Sequence, residues 1–403
     1  MVAVARVPLG VVGCGGIAKQ HQRAWRQVRE REPDLVEIVA TCDAHRPSAE
    51  RYADEVAGFQ ASRPEVYEGV EEMLRAGRVR AADVCTPHHL HHVVALQCLA
   101  AGVAVQVEKP SGLTVKATKR MIEEANRRGL VLATAENVRR GPSQRTAWWL
   151  LHESGRLGSA QGFCMQRVQH QPPAEPAQAP AWVWRADRTR SAGGWVIDSG
   201  AHFMDTVRYL FGDVESVYGC VRDVVPHPMV HDGLRAFDQR EDFFAAILQF
   251  ESGVVGQWAR TTVFPGHDWF QCAIYGSRGA IVDPSGDIFH GPRPHAEVRV
   301  EGQAPRTLED IYPEFLASLS PERRERLFPH GFTDGFTLEC YDFAQAVATG
   351  REVEVSAEDG LRAKAAAFAI YESSLSGQAV RVRDVLDGKV DAYQRWLNEK
   401  WGI

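Results

Sequence analysis

A histidine lies between two carboxylates near the middle of the sequence, in the run D-S-G-A-H-F-M-D at positions 198–205. If a helix begins there, Asp198, His202 and Asp205 share one face, because they are spaced at i, i+4 and i+7. An imidazole titrates near neutral pH, so His202 is a candidate general base, and a carboxylate one turn away could orient its ring. A histidine beside carboxylates is also common in surface ion pairs and helix caps, and this pattern alone leaves both interpretations open.

The second candidate is Lys109, in Glu108-Lys109-Pro110 after the short apolar run Ala104 to Val107. Open parallel sheets bind their ligands at the carboxyl ends of their strands. At that edge an ammonium group can donate a hydrogen bond to a substrate oxygen and stabilise the negative charge that develops on it. The alternative is a solvated lysine at a strand end, which is the commoner fate of this residue type.

A glycine-rich run, G-C-G-G-I-A at positions 13–18, follows the first apolar run and opens a predicted helix. Gly13 and Gly15 permit a tight turn and a close backbone approach to a pyrophosphate, and Ala18 lets the helix pack on the strand. The N-terminus of the helix supplies unpaired N–H groups for the same anion. The run therefore predicts a dinucleotide-binding loop that includes Gly13, Gly15, Gly16 and Ile17.

The choice between NAD and NADP depends on two residues after the second predicted strand. Asp43 lies near the spacing expected for a carboxylate that accepts hydrogen bonds from the ribose hydroxyls, and its charge would repel a 2′-phosphate. Arg46, three residues later, could contact such a phosphate. Asp43 therefore favours NAD, and Arg46 leaves NADP as an alternative.

The elements that must position these residues differ between the two parts of the chain. In residues 1–137, short apolar runs alternate with amphipathic stretches, which predicts an α/β Rossmann domain with a parallel sheet. The predicted strands are Val7 to Val12, Glu37 to Thr41, Asp83 to Thr86, Ala104 to Val107 and Val131 to Ala135. The predicted helices are Ile17 to Val28, His89 to Ala101 and Val115 to Arg128, the last two ending before glycines.

Residues 138–403 are expected to form a second, α+β domain. A helix around Trp148 is followed by strand-like runs joined by tight turns, which predicts an antiparallel sheet. These runs are Phe163 to Gln169, Val214 to Val221, Phe243 to Phe250, Val254 to Thr262 and Trp269 to Tyr275. Residues 171–180 and 285–329 are predicted to be irregular surface segments. A final helix near 356–376, capped by Ser356 and closed by Gly377, is expected to place Leu361, Ala365, Phe368 and Leu375 on one face. This helix is a candidate to pack back on the first domain.

The length, charge and cysteine content of the chain limit the kinds of molecule that it is expected to bind. A chain of 403 residues with a net charge of -6 fits two globular domains and offers no basic field for nucleic acid or anionic lipid. We find no apolar run long enough to span a bilayer and no export signal. The eight cysteines form no C-x-x-C pair, so free thiols in a reducing cytoplasm are expected. A small-molecule substrate is the expected partner.

Taken together, four motifs resemble the Gfo/Idh/MocA family, the glucose–fructose oxidoreductase and inositol dehydrogenase relatives. They are G-C-G-G-I-A at 13–18, T-P-x-x-x-H at 86–91, E-K-P at 108–110 and D-x-G-x-H-x-x-D at 198–205. The resemblance covers nearly the whole chain in the expected order. It implies an NAD-binding Rossmann domain and a C-terminal domain with a large, mostly antiparallel open-faced sheet. It also implies an active site between the domains and homodimers or homotetramers assembled through that sheet.

The resemblance assigns roles residue by residue. It implies cofactor binding by the glycine loop with Asp43 and Arg46, and by Thr86, Pro87, His91, Glu108, Lys109 and Asn137. It implies that Lys109 and His202 lie beside the carbon that exchanges a hydride with nicotinamide, with Asp198 as their third partner. His202 would take the hydroxyl proton while Lys109 stabilises the oxygen, although the two could exchange roles. Asp198 would orient the histidine or bind a neighbouring substrate hydroxyl, and Asp205 ranks below it.

Substrate contacts are expected from several further residues. The resemblance places Arg139 in the cleft, together with Asn137. Trp182, Trp184 and Arg185 precede the histidine motif, and aromatic faces and guanidinium groups suit a polyhydroxylated ring. Core or interface packing is an equally open interpretation of the tryptophans. His330 lies in a segment that could also reach the site.

These observations predict an NAD-dependent dehydrogenase without a metal. It would oxidise a secondary hydroxyl of a sugar, of a glycoside (C3 being one candidate position) or of a cyclitol. One alternative is an NAD-using glycoside hydrolase or lyase that acts through transient oxidation. Another is a non-enzymatic NAD-sensing regulator, against which the retention of both Lys109 and His202 speaks.

Overall fold

The computed structural model describes residues 6–171, 183–231 and 234–403, and the chain divides into two units. The first comprises residues 1–140 and 325–361, and the second comprises residues 141–324 and 362–403. Segment 325–361 groups with the first unit because Cys340, Phe343 and Ala344 share a buried core with Trp25 and Leu9. Trp182 and residues 172–180 of the segment expected at the surface lie outside the described residues.

The first unit contains a six-stranded parallel sheet in the order β3-β2-β1-β4-β5-β6. Its strands are β1 Val7–Val12, β2 Val36–Cys42, β3 Glu65–Tyr67, β4 Ala81–Val84, β5 Ala104–Glu108 and β6 Leu132–Ala135. This order reverses between β1 and β4, which is where open α/β sheets bind nucleotides. The predicted Rossmann sheet is therefore confirmed, with β3 as a strand that the sequence analysis missed.

Five helices connect the strands of the first unit as crossovers: α1 Ala18–Arg31, α2 Arg46–Ala57, α3 Val70–Arg75, α4 His88–Ala100 and α5 Val115–Arg128. The later segment adds α11 Gly335–Thr349. Gly129 takes the left-handed conformation that ends α5, at φ 64°. The sequence analysis missed α2, whose apolar pattern is brief, and the short α3.

The second unit is built on a nine-stranded sheet in the order β16-β15-β14-β13-β7-β12-β11-β8-β17. Its strands are β7 Ala160–Val168, β8 Val214–Arg222, β11 Phe243–Phe250, β12 Val255–Thr261, β13 Trp269–Gly276, β14 Gly279–Val282, β15 Glu297–Val300, β16 Arg306–Thr307 and β17 Val380–Arg381. All neighbours are antiparallel except β7 and β12, which run parallel. The mostly antiparallel sheet is confirmed. A separate pair is formed by β9 His227–His231 and β10 Leu234–Asp238.

The remaining described α-helices belong wholly or partly to the second unit. They are α6 Pro142–His152, α7 Arg188–Ser191, α8 Asp198–Phe211, α9 Leu308–Ser318, α10 Pro321–Leu327, α12 Ala357–Ser376, α13 Val382–Leu386 and α14 Arg395–Trp401. The division between the units falls within α12, after Leu361. Phe203 of α8 stacks on Trp258 of β12 with ring centres 4.0 Å apart, so α8 lies directly on the sheet. No helix among the described residues is long and apolar enough to cross a membrane.

Two details of the sequence analysis need correction. The segment 285–329 is not irregular, because it contains β15, β16, α9 and α10. A capping box of Thr307 and Asp310 opens α9, and Leu308, Ile311 and Phe315 bury its apolar face, a pattern that the surrounding polar residues obscured. On α12, the Ser356 cap is confirmed, but Leu375 is 62% exposed and does not share the buried face predicted for it.

Candidate active site

The glycine run forms the turn between β1 and α1, and its glycines serve different purposes. Gly13 has φ 88°, and a Cβ there would lie 2.7 Å from the Cys85 carbonyl oxygen, so the protein's own packing requires glycine. Added Cβ atoms on Gly15 and Gly16 would meet nothing within 4 Å. These two positions thus present bare backbone to open space, as a loop that a pyrophosphate approaches must do.

Asp43 lies just beyond β2 and ties this turn to the strand end. One carboxylate oxygen accepts the Cys14 amide proton at 2.8 Å, and the other accepts the His45 amide proton at 2.8 Å. Each carboxylate oxygen has a second lone pair, so a hydrogen bond from a ribose hydroxyl remains compatible with both contacts.

Arg46 begins α2 and is engaged by two carboxylates. Its Nε donates to Glu50 at 2.8 Å, and one terminal nitrogen donates to Glu68 at 3.4 Å. The two negative charges offset the attraction of the guanidinium for a 2′-phosphate. The arrangement around Arg46 therefore favours NAD over NADP.

The T-P-x-x-x-H motif joins the ends of β4 and β5. His91 of α4 has one ring nitrogen 2.6 Å from the Thr86 carbonyl oxygen and the other 3.0 Å from the Pro110 carbonyl oxygen. The ring thus holds two loops together, and both nitrogens face the main chain. The Thr86 hydroxyl is enclosed and has no hydrogen-bond partner among the described residues, and Pro87 begins the turn into α4.

Glu108 lies in a buried set of charged residues that we call the His21 cluster: His21, Asp83, Glu108 and Glu339. His21 of α1 has its Nδ1 3.0 Å from Asp83 of β4 and its Nε2 3.0 Å from Glu108. Glu339 of α11 lies 3.6 Å from the same Nε2. The cluster connects four elements behind the end of β5, and the buried Glu108 side chain contacts His21, while its role at the cofactor stays a prediction.

Proton positions in the His21 cluster follow from its geometry. Burial opposes a charge on His21, but the adjacent Asp83 carboxylate holds the imidazole pKa well above its usual value. Burial also opposes the charge on Asp83, and the His21 cation outweighs it, so the pKa of Asp83 is lowered. Burial raises the pKa of Glu339 well above its usual value. These directions favour a charged pair of His21 and Asp83 and a proton on Glu339.

The donor atoms of His21, Asp83 and Cys85 lie within 4.8 Å of one another, which raises the question of a metal. A metal requires a neutral imidazole and a thiolate. Here Asp83 holds the proton on His21 and also accepts the Trp25 indole N–H at 2.8 Å, while burial raises the pKa of Cys85 to about 12. These residues do not fit a metal site.

Lys109 follows directly from this cluster, at the carboxyl end of β5. It is half-buried, and its backbone position is fixed by Glu108 on one side and by the Pro110 carbonyl contact on the other. Asn137 and Arg139 follow β6, where Arg139 is buried and lies 4.0 Å from Asp359. In a parallel sheet these strand ends share one edge, so the structure gathers most of the residues predicted to bind the cofactor there.

In the second unit, Asp198 and His202 lie in the first two turns of α8. The Asp198 carboxylate accepts a hydrogen bond from Arg185 Nε at 3.0 Å. His202 is half-buried, and its ring centre lies 5.2 Å from that of His290. Asp205, one turn further, is buried in the interior. The predicted helix and the shared face of Asp198 and His202 are as expected from the spacing.

Sequence reasoning missed His290 and the residue that holds it. Asp287 accepts hydrogen bonds from His290 Nδ1 at 3.0 Å and from the Phe289 amide at 2.9 Å. Burial opposes ionisation of Asp287, but these bonds and the nearby Arg293 lower its pKa. The signal was the pair Asp287 and His290 three residues apart, within a segment assigned to the surface. A second imidazole beside His202 offers another group that can hold a proton.

The turn before α8 is held by Glu241, another residue without a local sequence signal. Its carboxylate accepts the amide protons of Gly194 at 2.9 Å and Val196 at 2.7 Å, and the Tyr371 hydroxyl donates to it at 2.7 Å. A Cβ on Gly194 would lie 2.5 Å from the Glu241 carboxylate, so glycine is required. Burial raises the pKa of Glu241.

A pocket of about 290 Å³ opens beside this turn in the second unit. It is lined by Arg185, Gly194, Trp195, Asp198 and Arg240. Trp184 does not line it, but its ring centre lies 4.4 Å from the Arg185 guanidinium and supports that side chain. Trp195, which was not selected from the sequence, is the aromatic residue of the pocket.

His330 lies in the first unit, where its Nε2 is 2.7 Å from Glu32.

Comparisons with known proteins agree with this architecture. Residues 7–136 match the family model described as "Oxidoreductase family, NAD-binding Rossmann fold", and residues 155–382 match "Oxidoreductase family, C-terminal alpha/beta domain". The sequence is 24% identical to levoglucosan dehydrogenase of Pseudarthrobacter phenanthrenivorans over 328 residues, which are 76% of this chain and 81% of that protein.

It is 26% identical to 1,5-anhydro-D-fructose reductase of Ensifer adhaerens over 384 residues, 93% of this chain and 98% of that protein. The fold is similar to that of levoglucosan dehydrogenase solved in complex with NADH and L-sorbose. That comparison has a TM-score of 0.75 and 23% identity, and covers 94% of this chain and 99% of that one. The first unit thus carries an NAD-binding Rossmann domain, and the chain belongs to the Gfo/Idh/MocA oxidoreductase family.

Proposed function

We propose that the protein is an NAD-dependent dehydrogenase that oxidises a secondary hydroxyl of a sugar, glycoside or cyclitol. The observation that carries this proposal is the presence of two proton-handling groups in a member of an NAD-binding family. Lys109 lies at the ligand-binding edge of the parallel sheet, and His202 lies on the first turns of α8. The named relatives act on levoglucosan and 1,5-anhydro-D-fructose, which supports a carbohydrate substrate.

The residues account for the proton in such a reaction. Bound NAD supplies a hydride acceptor at its nicotinamide ring. His202 takes the proton from the reacting hydroxyl, and Lys109 donates a hydrogen bond to that oxygen as negative charge develops on it. Lys109 and His202 could exchange these roles. Asp198, which already accepts from Arg185, binds a neighbouring substrate hydroxyl or orients His202.

A substrate ring is expected beside Trp195. Its indole offers an apolar face for the C–H groups of a sugar, while Arg185 and Asp198 offer a donor and an acceptor for hydroxyls. Arg139 of the first unit is proposed as a further donor. These features fit a polyhydroxylated ring and leave the particular sugar, and the position of the oxidised carbon, to experiment.

The test is a panel of sugars, glycosides and inositols, each incubated with NAD and with NADP while the absorbance of the reduced cofactor is followed. We expect reduction of NAD with at least one compound and weaker reduction of NADP. Cleavage of a glycoside without net reduced cofactor would contradict the proposal in favour of transient oxidation. Binding of NAD without turnover of any compound would favour a regulator.

We also infer that the open face of the nine-stranded sheet joins copies of this chain. The outward-facing positions of β7, β11, β12 and β13 carry apolar, cysteine, amide and hydroxyl side chains, and exposed Tyr218, Ile247 and Val255 lie on this face. Uncharged patches of this kind mark association surfaces. Light scattering should give the mass of a dimer or tetramer that Ile247→Glu reduces, whereas the exposed control Leu375→Glu should not.

A further inference from the structure

The second unit contains a buried arginine that takes no part in the proton transfer proposed for Lys109 and His202. Arg260, near the end of β12, is 7% exposed. Its guanidinium carbon lies 3.8 Å from the ring centre of Trp195 and 5.9 Å from that of Phe289. None of its nitrogen atoms is both fully enclosed and without a hydrogen-bond partner. The guanidinium is therefore held against Trp195, which lines the pocket, while its N–H groups are not fully enclosed.

Within the described residues, no carboxylate lies at ion-pair distance from the Arg260 guanidinium. Its register partner on β7 is a second arginine, Arg167, and like charges on adjacent strands repel each other. Burial, with Arg167 adding to it, lowers the pKa of Arg260 to about 10. Glu241 attracts it but already accepts from two amides and a tyrosine.

The other two arginines at this pocket differ in this respect. Arg185 donates to Asp198 at 3.0 Å, and Arg240 donates to both oxygens of Asp238, at 3.0 and 2.9 Å. Each has a carboxylate that belongs to the protein. Among the residues that the structure describes, no carboxylate pairs with Arg260 or Arg167, so an anionic ligand would supply the missing negative charge.

We propose that Arg260, supported by Arg167, binds a carboxylate of the substrate, so that the substrate class is a sugar acid and not a neutral sugar. This proposal rests on the proposed function, since it identifies the kind of carbohydrate that the same site takes. The planar guanidinium presents two parallel N–H groups that match the two oxygens of a carboxylate. Stacking on Trp195 fixes the plane of that fork.

A carboxylate fits this position better than a phosphate. Phosphate sites commonly add main-chain amides to their arginines. Four amides of the adjacent turn are already used: those of Gly194 and Val196 donate to Glu241, and those of Ile197 and Asp198 donate to the Gly194 carbonyl. The site offers a guanidinium fork without an amide cradle.

The test compares matched pairs of substrates on the full chain with NAD. D-glucuronate and D-gluconate are compared with D-glucose, D-galacturonate with D-galactose, and D-glucose 6-phosphate serves as the phosphate arm. We expect at least one acid to have a kcat/KM about tenfold or more above that of its neutral partner. In Arg260→Gln, we expect the kcat/KM of that acid to fall by about 10- to 100-fold and that of the neutral sugar to fall by less than about threefold.

Two variants separate anion binding from packing. Arg156→Gln is the matched control, because Arg156 also lies over a tryptophan, Trp149, but pairs with Glu314; it should leave the preference for acids unchanged. Arg260→Lys keeps the charge and should retain part of the preference. If Arg260→Gln does not fold, the half-buried Arg167→Gln should weaken the same acid selectively.

Calorimetric titration of each acid into the NADH-loaded protein gives a second readout that needs no turnover. The proposal is overturned if neutral sugars are used as well as every acid, if the phosphate is preferred, or if Arg260→Gln leaves acid binding unchanged. A panel in which no compound reduces either cofactor contradicts the proposed function instead. In that case, binding of an acid to the wild type but not to Arg260→Gln would still support the carboxylate site.

Discussion

Buried charge is treated in opposite ways in the two units. In the first, the His21 cluster surrounds one cation with carboxyl groups, and Trp25 and Gln106 add hydrogen bonds to Asp83. In the second, Arg260 lies against aromatic rings beside another cation. A compensated cluster is complete without a ligand and can act as structure. An uncompensated cation indicates that a partner from outside the chain completes the site.

The largest expected effect comes from breaking the compensated cluster. His21→Leu would leave Asp83 and Glu108 buried without their cation, and removal of one partner of a buried ion pair costs about 3–5 kcal/mol. Urea unfolding should show a loss of that size in the free energy of unfolding. A loss below about 1 kcal/mol would mean that the cluster is not the compensated network described here.

The pH dependence of Glu339 gives a second, smaller effect. Because its folded pKa is raised well above 4.5, its contribution to stability is fully present below about pH 4.5 and is lost as the pH rises through the folded pKa. Glu339→Gln cannot ionise, so its stability relative to the wild type should increase by up to about 1.4 kcal/mol for each pH unit in that window. Urea unfolding of both proteins at several pH values measures this difference, and parallel pH profiles would contradict it.

The smallest effect is expected at the uncompensated cation. Arg260→Gln removes a buried charge that no described carboxylate balances, which offsets the packing lost on Trp195, so the free energy of unfolding without ligand should change by less than about 1 kcal/mol. Arg140→Gln is the matched control, because Arg140 is also buried but pairs with Asp342 and Glu354 at 3.1 Å. It should cost about 3 kcal/mol or more. Equal losses of unfolding free energy in Arg260→Gln and Arg140→Gln would contradict the distinction between a compensated and an uncompensated cation.

Local patterns made much of the site predictable from the sequence. The glycine turn, Asp43 and the spacing of Asp198 and His202 each depend on a few consecutive residues whose geometry follows from one strand end or one helix. The spacing of apolar residues along the sequence also predicted the main strands and helices of both units. The short β3 and α3 were missed because three to six residues do not display a period.

Long-range pairing made the rest inaccessible. Glu108 was expected at the cofactor, but its partner His21 lies 87 residues away in sequence, and no pattern around either residue records that contact. Glu241 holds amides 45 and 47 residues before it. In the sequence, Arg260 cannot be told from an ordinary strand residue. No local pattern shows that it is buried or that no described carboxylate lies near it.

The central claim is that Lys109 and His202 handle the proton while NAD takes the hydride. The most direct test measures turnover of the best substrate from the panel by Lys109→Met, His202→Asn and the double variant, with NAD binding measured in parallel. We predict that kcat falls by about 100- to 10,000-fold in each single variant and little further in the double variant, while the Kd for NAD stays within about threefold. Wild-type turnover in either single variant that still binds NAD would contradict the account.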